Sequence, residues 1–272
     1  MSRARFSVAA AFLAFAALVS CSDPASSPTL GTNSNWFLAC SEDGDCSGTT
    51  SCECARCTRA CDVDADCNGL DDAHCVSPSE PSALSQCPAS EPTAGLCLPR
   101  CAPGACPEDQ ACVGESCVSN ALPDNAFCAP VAAPDAPDRT QEDELFELVQ
   151  TLRAEGGVSC GQNAPSVPAG TAVRASAALR CAARVFASDI DATGTQSLVD
   201  SSGRNTEQRM SAAGYVPKLW GESFAAGSSS PSDALAIMLG DQASCVALTR
   251  DGYSDLGVAH VGHVHVVTLG SD

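Results

Sequence analysis

The chain has 272 residues, 19 cysteines and a formal net charge of −19. Its length suffices for one medium-sized domain and a smaller module. The acidic balance argues against nucleic-acid binding, which relies on lysine and arginine, and it provides no polybasic patch for anionic lipid headgroups.

Residues 1–20 are typical of a bacterial lipoprotein signal peptide. Two arginines precede the apolar run SVAAAFLAFAALVS at 7–20, which ends directly before Cys21. The run is shorter than the roughly 20 apolar residues that a membrane-spanning helix needs. We interpret Cys21 as the lipidation site and residues 21–39, which contain several Ser, Pro and Asn residues, as a flexible tether. The alternative is an ordinary secretory signal with an incidental cysteine.

Residues 40–120 form a cysteine-rich module with few apolar core residues, so disulfides must supply the stability that a small core lacks. The stretches ACSEDGDCSG (39–48) and ACDVDADCNG (60–69) are an internal repeat, and residues 101–117 keep its cysteine spacing without the paired acids. In an exported chain these cysteines favour disulfides over the zinc site that CECARC (52–57) suggests.

Asp62, Asp64 and Asp66 alternate in a pattern that resembles the start of a calcium-binding loop. An EF-hand loop requires glycine at its sixth position and glutamate at its twelfth, where this chain has Cys67 and Ala73. The register therefore disfavours a calcium site in this loop.

The cysteine count leaves a pairing question open. Apart from the lipidation site, fifteen cysteines lie between Cys40 and Cys128, and three follow at Cys160, Cys181 and Cys245. Both numbers are odd, so either one disulfide joins the two sets or two thiols stay free.

Residues 121–139 contain four prolines and are interpreted as a semi-rigid linker. From residue 140 onwards the composition is that of a globular domain. Thr140, with Asp143 three residues later, predicts the N-terminus of a helix. The apolar face of that helix consists of Leu145, Leu148, Val149 and Leu152.

Further helices are predicted over about 171–191 and about 204–213, and from Pro231, where Ser230 is the N-cap. The β-branched stretch 256–270, with Gly262 near its middle, predicts a hairpin or two short strands. Helices followed by strands indicate an α+β domain in which helices cover a sheet.

Six short motifs follow one another in this domain. They are ELVQTLRAEGGVSCG (147–161), LRCAARVFASDI (179–190), DSSGRNTEQRMSAAGY (200–215), WGESFAAG (220–227), SCVAL (244–248) and GYSDLGV (252–258). Their order and spacing resemble the CAP superfamily, which comprises cysteine-rich secretory proteins, antigen 5, pathogenesis-related 1 proteins and bacterial SCP-like relatives. The resemblance covers residues 140–272 and implies an αβα sandwich with a central cleft.

In many relatives two histidines and one or two acids line this cleft. Glu222 occupies the position of the family's glutamate, whereas Leu198 and Ser244 occupy the two histidine positions and Phe186 replaces a further histidine. Zinc binding and general acid–base catalysis both depend on such histidines. The sequence therefore predicts no catalytic residue and no cofactor, and hydrogen bonds from nearby backbone amides are expected to hold Glu222.

The resemblance also bears on the pairing question. Bacterial relatives often carry one cysteine after the first helix and another beside the second histidine position, which correspond to Cys160 and Cys245. If these two pair, Cys181 on the second helix is left for Cys128 in the linker. We therefore expect the disulfides Cys160–Cys245 and Cys128–Cys181, which account for both odd numbers.

His263 and His265 lie in GHVHVV (262–267) and are expected to alternate on one strand face, with His260 opposing them. Such an arrangement can chelate a metal, so the three histidines are metal candidates. The simpler interpretation is a set of imidazoles on an exposed strand face.

The sequence thus predicts a non-catalytic CAP-domain lipoprotein, held at the bacterial cell envelope (outer membrane or cell surface) by a lipid anchor in the membrane. Its role is binding, adhesion or scaffolding, with a small apolar molecule, a peptide or a glycan as ligand classes. One alternative is a hydrolase that acts on peptides or the cell wall through Glu222. Another is a structural surface spacer, which is favoured if side chains such as Phe186 and Leu198 fill the cleft.

Overall fold

The computed structural model describes residues 36–87, 91–107, 109–131, 134–162 and 164–272. The proposed signal peptide, Cys21 and most of the tether lie outside these residues. Within the described part of the chain, no helix combines the length and the apolar character needed to cross a membrane.

The cysteine-rich module consists of short hairpins and loops. Its strands are β1 (Ser51–Glu53), β2 (Arg56–Thr58), β3 (Ala60–Cys61), β4 (Ala73–Val76), β5 (Gly95–Pro99), β6 (Gln110–Val113) and β7 (Ser116–Ser119), and its helix is α1 (Pro81–Gln86). They form a β1–β2 hairpin, a three-stranded sheet in the order β3-β5-β4, and a β6–β7 hairpin. Strands this short bury little apolar area, so the cross-links carry much of the stability.

Seven disulfides hold the module together in a repeated pattern. Within each repeat the first cysteine pairs with the third and the second pairs with the fourth. These pairs are Cys40–Cys52 with Cys46–Cys57, Cys61–Cys75 with Cys67–Cys97, and Cys101–Cys112 with Cys106–Cys117. The additional pair Cys54–Cys87 ties the first hairpin to the end of α1. The internal repeat of the sequence is therefore a repeated crossed-disulfide unit.

The paired acids of the repeat bond to the backbone of their own unit. Asp45 and Asp66 each accept two backbone N–H bonds from the residues just before a 3-10 turn. Asp43 and Asp64 each accept a 2.8 Å bond from the backbone N–H of a strand cysteine. Among the described residues, the clusters whose side-chain donor atoms lie close enough together to hold a metal ion are three cysteine triplets. All of these cysteines form disulfides. The alternating acids thus serve as backbone caps.

The globular domain is an αβα sandwich. Its helices are α2 (Ala136–Glu155), α3 (Ala177–Thr193), α4 (Thr206–Ala212), α5 (Pro231–Gly240) and α6 (Gln242–Thr249), and its strands are β8 (Arg174–Ala175), β9 (Leu219–Ala226), β10 (Asp255–Val261) and β11 (Val264–Ser271). The sheet has the order β8-β10-β11-β9, with β8 parallel to β10 and the other pairs antiparallel. The predicted α+β class is confirmed.

Alternate residues of the sheet face the two helical layers. Ala259 and Val266 join the core formed with α3, whereas Val258 and Val267 join the core formed with α2, α5 and α6. A Cβ on Gly257 would lie only 2.2 Å from the backbone carbon of Leu179, so glycine allows the start of α3 to lie directly on β10. The sheet is therefore buried on both faces, as in other layered domains.

Two predicted helix starts are wrong. The α2 helix begins at Ala136, within the proposed linker, because Asp135 accepts a bond from the backbone N–H of Asp138 and Pro137 lies in the first turn. Thr140 instead donates to the carbonyl of Ala136 inside the helix. The α3 helix begins at Ala177 instead of about 171, since residues 174–175 pair with β10 and residue 176 caps the helix.

Other predicted elements are confirmed. Asn205 caps α4, and Ser230 caps α5 by accepting from the backbone N–H of Asp233. The C-terminal hairpin turns at Gly262, whose φ of 61° favours glycine. The alternating apolar residues of both strands are buried, as a sheet between two helical layers requires.

Both disulfides expected from the resemblance are confirmed. Cys160–Cys245 ties the loop after α2 to α6, and Cys128–Cys181 ties the linker to α3. They account for both odd numbers, because Cys128 of the first fifteen cysteines pairs with Cys181 of the last three, and every described cysteine is paired.

Hydrogen bonds from backbone N–H groups to side chains cross the contact between the module and the domain. The backbone N–H of Gly104 donates to Asp143, that of Gly114 donates to Glu147, and that of Ala175 donates to the hydroxyl of Ser85. Nearby, Arg180 and Arg184 of α3 reach around the edge of β10 to the buried carboxylate of Glu142 on α2. These polar bonds add to an apolar core that is continuous across the module and the domain.

Candidate functional site

A groove of about 550 Å³ opens beside β9, the edge strand of the sheet. Residues 220–224 of β9 form its floor. Gln196 and Leu198 form one wall, and α5, α6 and the loop that follows α6 form the other. The groove is thus bounded by a strand edge and by both helical layers.

Glu222 lies in the floor of this groove, but its carboxylate is buried and directed toward α4. Oε2 accepts bonds from the hydroxyl of Thr206 at 2.7 Å and from the guanidinium of Arg209, and Oε1 accepts from the hydroxyl of Thr268 at 3.3 Å. Burial raises the pKa of Glu222, and the Arg209 charge and these hydroxyls oppose that shift. The expectation that backbone amides hold Glu222 is wrong, because side chains supply the donors.

Arg209 connects Glu222 to the wall of the groove. It is the largest fully buried side chain of the described residues, and its guanidinium lies 3.9 Å from the ring centroid of Phe186. It also donates to the backbone carbonyls of Leu198 at 3.2 Å and Arg204 at 2.7 Å. The Glu222–Arg209 pair therefore fixes the loop that carries Leu198.

The structure brings three of the four predicted cleft residues together. Glu222, Leu198 and Ser244 all line the groove, with Leu198 exposed at the rim and Ser244 half-buried in the opposite wall. Phe186 does not line it, because its ring is buried behind the sheet against Phe224. The groove is therefore open, and Phe186 does not fill it.

The exposed surface of the groove is mostly apolar. Leu198, Trp220, Ile237 and Val246 line it and are each exposed by 39–49%. Ile237 and Val246 were not predicted from the sequence to line a site. Exposed apolar residues that cluster on short helices beside a strand edge are nevertheless typical of a binding surface. Below them the ring of Tyr253 packs on Gly221, where a Cβ would lie 2.4 Å from the tyrosine oxygen.

Three exposed polar residues, Gln196, Asp241 and Arg250, interrupt this apolar surface. Asp241 accepts from the backbone N–H of Ser244 at 2.8 Å, and this bond lowers the pKa of Asp241. Ser223 is 1% exposed, lines the groove, and its hydroxyl has no hydrogen-bond partner within the residues that the structure describes. A buried hydroxyl without a partner is unfavourable by about 1–3 kcal/mol.

The histidines lie away from the groove, and their predicted arrangement is wrong in two respects. His263 is exposed in the hairpin turn and does not share a strand face with His265. His265 is buried, bonds to the Ser228 hydroxyl at 2.8 Å, and burial lowers its pKa to about 4. His260 does oppose His265, with ring centroids 4.5 Å apart, and bonds to Asp138 at 2.7 Å. His265 is buried and His260 is partly buried, so the pair is not an exposed face of imidazoles.

Comparison with known proteins yields structural neighbours only. No protein-family model and no curated protein matches the chain. An extracellular SCP-domain protein from Bacillus anthracis is 16% identical, with a TM-score of 0.44, over 52% of this chain and 45% of that one. An outer surface protein from Borrelia burgdorferi is 15% identical, with a TM-score of 0.38, over 47% and 90%.

A cysteine-rich secretory protein from Staphylococcus aureus is 8% identical, with a TM-score of 0.41, over 52% of this chain and 42% of that one. The chain spans less than half the length of the first and third of these proteins. The globular half of this chain is an αβα sandwich, and its structural neighbours include an SCP-domain protein and a cysteine-rich secretory protein.

Proposed function

We propose that this chain is an exported, non-catalytic binding protein whose groove beside β9 takes an apolar ligand. One observation carries this proposal: the buried acid of the groove, Glu222, is engaged by Arg209, Thr206 and Thr268, while most of the exposed surface around it is apolar. A site of this composition suits binding by burial of apolar surface.

The same geometry argues against acid–base chemistry at Glu222. A general base needs hydrogen-bond reach to a substrate proton and an oxygen that is free to accept it. The oxygens of Glu222 instead accept from a guanidinium and two hydroxyls of the protein. Ser244, the other polar candidate, lies beside Asp241, whose carboxylate caps α6. We therefore assign Glu222 a structural role in the wall of the groove.

Export is supported by the nine disulfides, which are typical of oxidising compartments. Anchoring to a bacterial membrane through acylated Cys21 is part of the proposal and rests on the sequence. Mass spectrometry of the protein purified from membranes tests it, because a diacylglyceryl group on Cys21 supports the anchor and an unmodified N-terminus at another residue contradicts it.

Binding in the groove is tested with the full chain and the apolar dye 1-anilinonaphthalene-8-sulfonate. We expect saturable binding that shifts the fluorescence of Trp220, since this side chain is exposed in the groove and the other tryptophan, Trp36, is buried. Val246→Asp places a charge in the wall and should weaken dye binding by about tenfold or more.

Val216→Asp is the matched control, because Val216 is 76% exposed and does not line the groove. Equal dye affinity in the two variants would contradict a ligand site at this position. Hydrolysis of peptides or cell wall through Glu222 is the alternative function. It would be established by a hydrolytic activity that Glu222→Gln abolishes without changing the free energy of unfolding.

A further inference from the structure

We propose that the ligand of the groove is an extended peptide segment that adds to β9 as a further strand of the sheet. This inference rests on the proposed binding function and names the chemical class of its ligand. Three observations support it: the direction of the β9 backbone groups, the apolar residues on the two walls of the groove, and the unpaired hydroxyl of Ser223.

The register of β9 directs alternate backbone groups into the groove. The backbone N–H of Gly227 donates to the carbonyl of His263, and in an antiparallel ladder such pairs recur at every second residue. Gly221, Ser223 and Ala225 therefore bond to β11. The N–H and C=O groups of the intervening residues at 220, 222 and 224 point away from β11, toward the groove.

No loop or helix of the described residues bonds to these outward backbone groups. Unpaired backbone groups on a sheet edge are a template for another strand. Because residues 220–224 form the floor of the groove, this template lies at its base. An incoming strand would therefore make its hydrogen bonds where the groove is deepest.

The two walls match the side chains of an extended strand. Successive side chains of a strand point to opposite faces of the sheet. On one face they would meet Leu198, and on the other they would meet Ile237 and Val246. All three residues are apolar and about half exposed, so a strand with apolar side chains would cover them.

Ser223 provides an independent indication of a ligand. Its side chain lies on the α5–α6 side of β9, is 1% exposed, and has an unpaired hydroxyl within the structure as described. A hydroxyl or amide side chain of the bound strand would satisfy it. A hydrogen bond to this hydroxyl would remove the free-energy cost of an unpaired buried group and would therefore favour the bound state.

A peptide explains these observations better than an acyl chain or a sterol. An apolar molecule would cover the walls, but it would bury the outward backbone groups of β9 and the Ser223 hydroxyl without partners. A peptide strand covers the walls and bonds to all of these groups. The groove carries one exposed charge of each sign, Asp241 and Arg250, and the net charge of −19 repels acidic segments, so the ligand class is a neutral or basic peptide with apolar side chains.

The test uses the full chain and the probe acetyl-Thr-Val-Thr-Val-Thr-amide. The control probe is the same peptide with every backbone nitrogen methylated, which keeps the side chains but removes the donors. We expect the control to bind at least about tenfold more weakly. Hydrogen exchange measured by NMR should show new protection at residues 220, 222 and 224, whereas Gly221 and Ser223 should change little because β11 already protects them.

Ser223→Ala should weaken binding of the unmodified probe by about fivefold without lowering the melting temperature, since it removes an unpaired buried group. Ser211→Ala, an exposed serine of α4 outside the groove, is the matched control and should leave affinity unchanged.

Two outcomes would overturn the inference in different ways. If both probes bind equally, the outward amides gain no protection and the apolar dye still binds, then the groove is an apolar pocket and strand addition is wrong. If neither the probes nor the dye bind, then the proposed binding function is wrong as well.

Discussion

At the scale of single residues, the Arg209 side chain organises the groove. It compensates the charge of Glu222, lies against the ring of Phe186 and bonds to two carbonyls of the loop that forms one wall. A buried charge needs such a set of partners because its desolvation is otherwise very unfavourable. The position and the burial of Glu222 are therefore consequences of the pair.

Glu222→Gln should lower the free energy of unfolding by about 2 kcal/mol, because the buried Arg209 charge loses its nearer carboxylate and keeps only Asp200, 3.9 Å away. The double variant Glu222→Leu/Arg209→Met should be less destabilised than the single variant, since it removes both charges of the pair while Asp200 keeps its bonds from the backbone N–H groups of Ser202 and Arg204. Urea unfolding followed by circular dichroism measures both values. A stability of Glu222→Gln equal to that of the wild type would contradict the structural role.

Burial of the Asp143 carboxyl group makes the stability of the protein depend on pH. It lies at the contact between module and domain, and desolvation raises its pKa to about 6, while the N–H of Gly104 and the charge of Arg180 oppose the shift. The folded state thus binds a proton at a pH where the unfolded chain has lost it. The contribution of Asp143 to stability is full below about pH 4, the unfolded pKa, and is lost as the pH rises through about 6.

Asp143→Asn should remove this decline, because the amide stays neutral. We expect the variant to be more stable than the wild type by about 1–2 kcal/mol at pH 7, and the difference to shrink toward pH 4. Thermal unfolding between pH 4 and 7 measures the difference. A variant that is less stable at pH 7 than at pH 4, in parallel with the wild type, would show that another group titrates.

At the scale of secondary structure, the contact between α3 and β10 depends on one glycine. Gly257 lets the first turn of α3 approach the strand, and a Cβ there would overlap the backbone atoms of Leu179 and Arg180. Backbone atoms cannot rotate away as a side chain can, so the helix itself would have to shift. The spacing between these two layers is therefore set by a residue without a side chain.

Gly257→Ala should destabilise the protein by about 1–3 kcal/mol through this overlap. Gly240→Ala is the matched control, because a Cβ there meets no atom within 4 Å and its φ is not positive. The control should be neutral or slightly stabilising, by up to about 1 kcal/mol. Similar destabilisation in both variants would point to a general effect of the added methyl group.

Some elements were predictable from the sequence and others were not. Ser230 and Pro231 are local signals that define the start of α5, and the β-branched run around Gly262 defines the C-terminal hairpin. The start of α2 was missed because Asp135 and Thr140 are both good N-caps, and the choice depends on Pro137.

The strand β9 had no clear signal, since LWGESFAAG contains glycine, alanine and glutamate, which are depleted in strands. The groove was predictable only in part. The resemblance to the CAP superfamily led us to expect Glu222, Leu198, Ser244 and Phe186 in one cleft, and the first three line the groove. It did not indicate that Arg209 binds the glutamate. That pair joins residues from different elements, so its existence depends on tertiary packing and not on a local pattern.

At the scale of the whole molecule, the Cys128–Cys181 disulfide fastens the linker to α3, while hydrogen bonds from Gly104 and Gly114 reach α2. The module therefore rests on the domain as one unit with it. A loop of 53 residues closed by this bond removes much freedom from the unfolded chain.

The double variant Cys128→Ser/Cys181→Ser should lower the free energy of unfolding by about 2–4 kcal/mol. It should also open the linker to proteolysis near residues 121–131. Denaturant unfolding and limited digestion followed by mass spectrometry measure these effects. Cys160–Cys245 should stay intact in non-reducing peptide maps of the variant, and its loss would indicate global misfolding instead of a local release.

The recessed position of the β9 edge has a consequence for self-association. A folded sheet carries its own helices on its faces, and these would collide with the walls around Leu198 and Val246 before two edges could meet. A single unfolded chain is slender enough to reach the same edge. For the strand addition that we propose, the walls would therefore exclude the edge of a folded sheet, including that of another copy of this chain, and leave room for a single extended segment.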